Sequence, residues 1–193
     1  MFKFSLPYIM EHIMSKKVSP IPRGYRTATI CLTVVDVDSA VAFYQAAFGA
    51  EMLTRHTGAG EAESVAIHAT IKIGNSIIAL NPEAPELGIF APVSLGASAS
   101  QTHLYVDDVE ASWNRAVEAG ALVHTPLYNA YWGDRTGMLV DGNGQLWSIA
   151  SKVENLSQEE IAKRAKIDLE IPAEFPVEFA VVEEVVAEEN IAA

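Results

Sequence analysis

The feature that most constrains this chain is an internal repeat. The segment LTVVDVDSA from Leu32 resembles LYVDDVEAS from Leu104, so Leu32, Val34, Asp36 and Val37 recur 72 positions later as Leu104, Val106, Asp108 and Val109. Each copy runs on into a helical pattern, AVAFYQAAF or ASWNRAVEA, that stops at Gly49-Ala50 or Gly120-Ala121. Glycine just past a periodic run ends a helix because it adopts the left-handed conformation that the C-terminal cap requires. One residue is lost between the copies. Self-similarity of this kind marks a supersecondary unit built twice, which fixes the architecture before any single residue is weighed.

The segments after the two helices also match. After Gly49-Ala50 come EMLTRH, SVAIHATIKI and SIIALN, the last two separated by Gly74-Asn75. After Gly120 come ALVHTP, RTGMLV and QLWSIA, the last two separated by Asp141-Gly-Asn-Gly144. Gly and Asn tolerate the positive φ of tight turns, so both pairs read as hairpins. Each half is therefore β-α-β-β-β, and the chain is an α+β protein of two tandem modules, about 26–82 and 101–153. Together they are expected to form a cupped, mostly antiparallel sheet of about eight strands with helices on the outer face.

Alternation assigns the faces. Ile30, Leu32 and Val34 are uniformly apolar, whereas Thr29, Cys31 and Thr33 are mixed. In QTHLYV, Leu104 and Val106 fall on one side and Gln101, His103 and Tyr105 on the other. The apolar side should meet the helix. The mixed sides then line a shared concavity, the usual setting of a small-molecule site.

Composition excludes several other classes. With 193 residues, 50% hydrophobic, the chain can close one sizeable core or two small ones. Thirteen Lys and Arg against 25 Asp and Glu give a formal charge of −12, which repels nucleic acid and anionic membrane surfaces. The only cysteine, Cys31, forbids an intrachain disulfide and a zinc site of several thiolates, as suits a cytoplasmic protein. No stretch reaches the roughly 18 apolar residues that span a bilayer. Residues 1–25 read as an N-terminal arm, since the apolar run after Lys3 is broken by Pro7, Glu11 and His12. Walker, GxGxxG, HExxH and nucleophile-elbow motifs are absent, which removes nucleotide-dependent enzymes and serine hydrolases.

The duplicated modules, the segment VVDVDSAVAFYQAAFGAE and the run YWGDRTGMLVDGNGQLWSIA together resemble the vicinal oxygen chelate superfamily. That group includes glyoxalase I, bleomycin-resistance proteins and extradiol dioxygenases. The likeness covers roughly residues 26–153 and is nearest to the little-characterised branch found beside phosphonate genes, in which a run like Trp132–Arg135 is common. The resemblance implies a homodimer. It also implies, for metal-dependent members, one ligand from each of four strands, which here fall on Thr29, Ala79, Gln101 and Ser148. None is His, Asp or Glu, and Gln101 offers only a weak carbonyl donor. Transition metals need three or four good donors, so no cofactor is expected unless ligands have moved, for example to a His68–His103–Gln101 set.

His103 is the candidate acid or base, because it shares a strand face with Gln101 and a neutral imidazole can serve as a general base near pH 7. A half-buried, hydrogen-bonded histidine without chemistry explains its position equally well. Thr29, Cys31, Gln101, Tyr105, Trp132 and Ser148 complete the expected ligand-binding set, with His68 a further possibility. Trp147 is expected to face the helix layer, and Asp134 with Arg135 to form an ion pair that fixes their loop. Three functions are open: a metal-independent binding protein of bleomycin-resistance type, a glyoxalase-like lyase or isomerase using His103 or a displaced metal, or a structural subunit whose cup is filled. Ser157-Gln-Glu-Glu160 is a capping box that opens a short helix within 154–167. Residues 168–193 carry eight acidic residues and no Lys or Arg, and read as a mobile solvated tail, with a dimer-embracing arm or a lid over the cup as the functional alternatives.

Overall fold

The computed structural model describes residues 18–59 and 64–168. In the first module, strand β1 (Ile30–Val34) leads into helix α1 (Val37–Phe48), then β2 (Glu51–Thr57), β3 (Ala66–Ile73) and β4 (Ser76–Pro82). A connecting segment contains a 3₁₀ turn at Pro85–Leu87 and the one-turn helix α2 (Pro92–Leu95). The second module repeats the order with β5 (Gln101–Tyr105), α3 (Val109–Glu118), β6 (Leu122–Asn129), β7 (Asp134–Val140) and β8 (Leu146–Lys152). Helix α4 (Gln158–Asp168) comes last. The chain is thus α+β, with the tandem β-α-β-β-β units that the repeat implies.

The eight strands divide into two sheets of four, ordered β1-β4-β3-β2 and β5-β8-β7-β6. In each, the first pair is parallel and the other two are antiparallel. The parallel pair arises because the chain crosses over through a helix before the hairpins return it to the first strand. Both helices begin at the repeated aspartate. The Asp36 carboxylate accepts from Ser39 N at 2.7 Å and that of Asp108 from Ala111 N at 2.9 Å, each satisfying an amide that the helix leaves unpaired. Gly49 ends α1 with φ 65°, the left-handed cap.

One face of each sheet is sealed by its helix. Val34, Val37, Tyr44, Ile71 and Leu80 are buried in the first module, and Val109, Trp113, Leu139 and Ile149 in the second. Phe43 and Phe48 of α1 pack against both clusters, so the two cores are continuous. Trp147 on β8 is fully buried and crosses the boundary, with its ring 5.1 Å from Tyr44 and 4.7 Å from Phe48. Tyr44 Oη and Trp147 Nε1 both donate to Asp141 Oδ2, at 2.7 and 2.9 Å, while the amides of Asn143 and Gln145 donate to Oδ1. The DGNG turn is therefore a pin between modules as well as a hairpin turn.

One expectation is overturned. Asp134 and Arg135 do not pair: Arg135 Nε binds Glu110 of α3 at 3.0 Å, and Asp134 turns the other way. Both residues lie in β7, where successive side chains point to opposite faces, so neighbours in sequence cannot meet. The capping box forms, with Glu160 N donating to Ser157 Oγ at 3.2 Å and Ser157 N to Glu160 Oε2 at 2.9 Å. Residues 1–17 of the N-terminal arm and 169–193 of the acidic tail lie outside the described residues.

Candidate functional site

The sheet faces turned away from the helices are open. On β5, Gln101, His103 and Tyr105 are exposed while Thr102 is buried. The parallel register sets His103 beside Ser148 and Tyr105 beside Ala150 of β8. Ser148 sits deeper, and its hydroxyl is 2.9 Å from His103 Nδ1. The Tyr105 ring meets that of His103 edge-on at 4.7 Å. The structure therefore brings four of the expected residues, Gln101, His103, Tyr105 and Ser148, onto one surface.

Beneath Tyr105 lies a buried carboxylate that sequence reasoning assigned to a loop ion pair. Asp134 is inaccessible to solvent, and its Oδ2 accepts from Tyr105 Oη at 2.8 Å and from Trp132 Nε1 at 2.7 Å. Its Oδ1 has no hydrogen-bond partner among the described residues and lies 3.6 Å from the Lys152 ammonium. Donation to this carboxylate holds the Tyr105 phenol above the ordinary tyrosine range, with loss of solvent adding to the effect. Tyr105 thus stays protonated at neutral pH and is fixed in orientation. Trp132, tied to the same oxygen and packed edge-on against Tyr131 at 4.8 Å, is half-buried and belongs to this cluster. A groove of about 320 Å³ lies alongside, lined by Tyr105, Val106, Asp107, Ser151 and Lys152. That volume falls at the lower end of small-molecule sites.

The first module contributes a separate face. Cys31 is exposed on β1 beside Ala79, and Thr29 lies half-buried just before the strand with its hydroxyl donating to Arg26 O at 3.3 Å. His68 on β3 is half-buried, its Nδ1 2.9 Å from Asn81 Oδ1 and its ring stacked at 5.7 Å on His56. The pair His56 and Asn81 escaped sequence reasoning; their alternation with Thr54 and Ala79 was the signal available. Thr29, Cys31 and His68 belong to the first module, whereas Gln101, His103, Tyr105, Trp132 and Ser148 belong to the second.

The four positions that correspond to family metal ligands do not fit a divalent ion. Ala79 has no donor atom, the Ser148 hydroxyl is engaged by His103, and Thr29 and Gln101 supply neutral oxygens. Among the described residues no three His, Cys, Asp or Glu converge on one point. His68 and His103 stand on different sheets. What the surface does offer is hydrogen-bonding imidazole and phenol groups over a polar cluster, suited to holding a neutral or charged organic molecule.

Residues 26–149 match the family described as the Glyoxalase/Bleomycin resistance protein/Dioxygenase superfamily. An uncharacterized protein of Mycobacterium bovis is 38% identical over 133 residues, covering 67% of this chain and 86% of the relative. Among solved structures, a gene product from Arabidopsis thaliana is 25% identical with a TM-score of 0.52, spanning 65% of this chain and 98% of that one. TioX from Micromonospora sp. ML1 shares the fold, with 24% identity, a TM-score of 0.51, and coverage of 68% and 100%. No helix among the described residues is long and apolar enough to cross a membrane. By fold order, repeat and family match, the chain belongs to the glyoxalase/bleomycin resistance/dioxygenase superfamily.

Proposed function

We propose that this protein binds a small organic molecule on its open sheet faces, without a metal, as a binding or sequestration protein of bleomycin-resistance type. One observation carries the reading: the positions that correspond to metal ligands in the metal-dependent members this chain resembles here hold Thr29, Ala79, Gln101 and Ser148, while His103 and Tyr105 stand exposed beside Gln101 and Ser148 on a pre-ordered polar cluster. The groove beside Tyr105 argues against a cup filled by the protein's own side chains. A homodimer is the working form in this reading, because exposed apolar residues such as Met52, Ile67, Leu122 and Val123 remain for a second copy to cover, and a chain whose single cysteine is Cys31 suits the reducing cytoplasm.

A glyoxalase-like lyase or isomerase is the second reading. It is favoured by the His103–Ser148 contact, which orients the imidazole on an open face where it could move a proton to or from a bound substrate. A melting-temperature screen of small organic acids, aromatics and sugars tests the first reading. Binders at this face should raise the melting temperature by mass action, and His103→Ala and Tyr105→Ala should abolish their effect while remaining folded. A screen without binders, or one in which no binder loses its effect in both variants, would contradict it. Turnover of a binder that stops in His103→Ala would establish the second reading instead.

A further inference from the structure

The first module carries a groove of about 560 Å³ at the end of the β3–β4 hairpin, on the opposite module from His103. Its walls include Arg23, Arg26 and Lys72, and its apolar floor is made by Tyr25, Leu53 and Ile77. The arm segment is seated rather than loose: a Cβ placed on Gly24, whose φ is 90°, would lie 3.3 Å from Ile77 Cδ1. Glycine there lets the backbone approach Ile77 and brings Arg23 and Arg26 to the same rim as Lys72.

Three cations in one groove are unusual in a chain of net charge −12. Among the described residues they also lack an ion-pair partner. The ion pairs among the described residues use Arg55, Arg135, Lys152 and Arg164, and none uses Arg23, Arg26 or Lys72. Glu51 is the register partner of Lys72 across the β2–β3 ladder, yet the two form no ion pair. Like charges held close together repel one another, and a bound anion relieves that repulsion. Arginine forks bind carboxylate and phosphate oxygens through paired N–H donors, and the apolar floor gives an attached hydrocarbon a surface to cover.

We infer that this groove binds an amphiphilic anion, its carboxylate or phosphate held by Arg23, Arg26 and Lys72 and its apolar part lying on Tyr25, Leu53 and Ile77. The site is distinct from the His103–Tyr105 face and does not depend on the function proposed for it.

Titration calorimetry on the full chain with octanoate, octyl phosphate, 1-octanol and inorganic phosphate tests the inference. Both amphiphilic anions should bind, with 1-octanol roughly tenfold weaker, the fold-change expected from losing a charge-assisted contact. Inorganic phosphate should bind more weakly than octyl phosphate, since it leaves the floor uncovered. The stronger of octanoate and octyl phosphate identifies the anion preferred, and either order supports the site. The triple variant Arg23→Gln, Arg26→Gln, Lys72→Gln should lose at least roughly tenfold in octanoate affinity, whereas His103→Ala should leave it unchanged. Should the triple variant fail to fold, Lys72→Gln alone should weaken binding and Lys72→Arg restore it. Equal binding of octanol and octanoate, no binding of either anion, unchanged affinity in the charge variants, or loss of octanoate binding in His103→Ala would each overturn the inference.

Discussion

At the scale of single residues, Asp134 is the group on which the second module's open face rests. It is buried and accepts from Tyr105 and Trp132, so replacing it with alanine leaves two donors without an acceptor and the Lys152 ammonium without its ion-pair partner. Asp134→Ala should therefore destabilise the protein by about 2–4 kcal/mol, in the range for broken buried networks. Arg135→Ala removes only a partly exposed pair with Glu110 and should cost no more than about 1 kcal/mol. Urea unfolding of the two variants measures both, and a larger loss for Arg135 than for Asp134 would reverse these roles. The Trp-Gly-Asp-Arg run was visible in the sequence, but its meaning was not. Adjacent charges of opposite sign suggest a pair until strand alternation sends them to opposite faces.

At the scale of elements, most of the architecture was legible because the repeat states it twice. The aspartate caps, the glycine stop of α1 and the two hairpin turns all arise from short-range chemistry, and each appears where the sequence placed it. Close approaches between elements were not legible. Gly137 in the middle of β7 has no turn to make; a Cβ there would lie 2.6 Å from Trp113 Cζ3 and 3.0 Å from Thr125 O, so its hydrogen is what admits the α3 tryptophan onto the sheet. Gly137→Ala should cost roughly 1–3 kcal/mol through overpacking, read as a lowered urea midpoint, and a neutral result would show that Trp113 is free to move. The connecting segment is held by Glu83, whose carboxylate accepts from Ala91 N at 3.0 Å and Ser94 Oγ at 2.7 Å. Those donors keep its carboxyl below the ordinary glutamate range, the Ala91 amide most of all. A lowered folded-state value means the stabilisation is present above the unfolded value near about 4.3 and is lost as pH falls through the folded value. The melting-temperature gap between wild type and Glu83→Gln, open at pH 7, should close on acidification below about pH 4; a gap that persists in acid would contradict this.

At the scale of the whole molecule, two modules that could stand apart are joined by one buried carboxylate and the aromatic rings around it. Burial pushes the Asp141 carboxyl upward against the pull of its four donors, and raises the Tyr44 phenol further above the ordinary tyrosine range. Tyr44→Phe removes one of those donors across the module boundary and should cost about 1.5–3 kcal/mol, as for hydrogen bonds to charged groups. A change below about 0.5 kcal/mol, within ordinary surface variation, would mean that apolar packing and the Val35 N–Asn143 Oδ1 and Gln145 Nε2–Thr33 O hydrogen bonds hold the modules without it. The site itself was only half legible. Alternation put Gln101, His103 and Tyr105 on one face, because period two is a local property, and the resemblance supplied Ser148, but the clustering of Arg23 and Arg26 with Lys72 depends on where the arm folds back, which no local pattern encodes. The central proposal is that this chain binds its ligand without a metal ion. Elemental analysis of the purified protein, paired with melting curves before and after chelation and after adding zinc, nickel or manganese, tests it directly. The expected result is far less than one divalent ion per chain and an unchanged melting temperature; one tightly held ion per chain, with a fall in melting temperature on chelation that the metal restores, would contradict it.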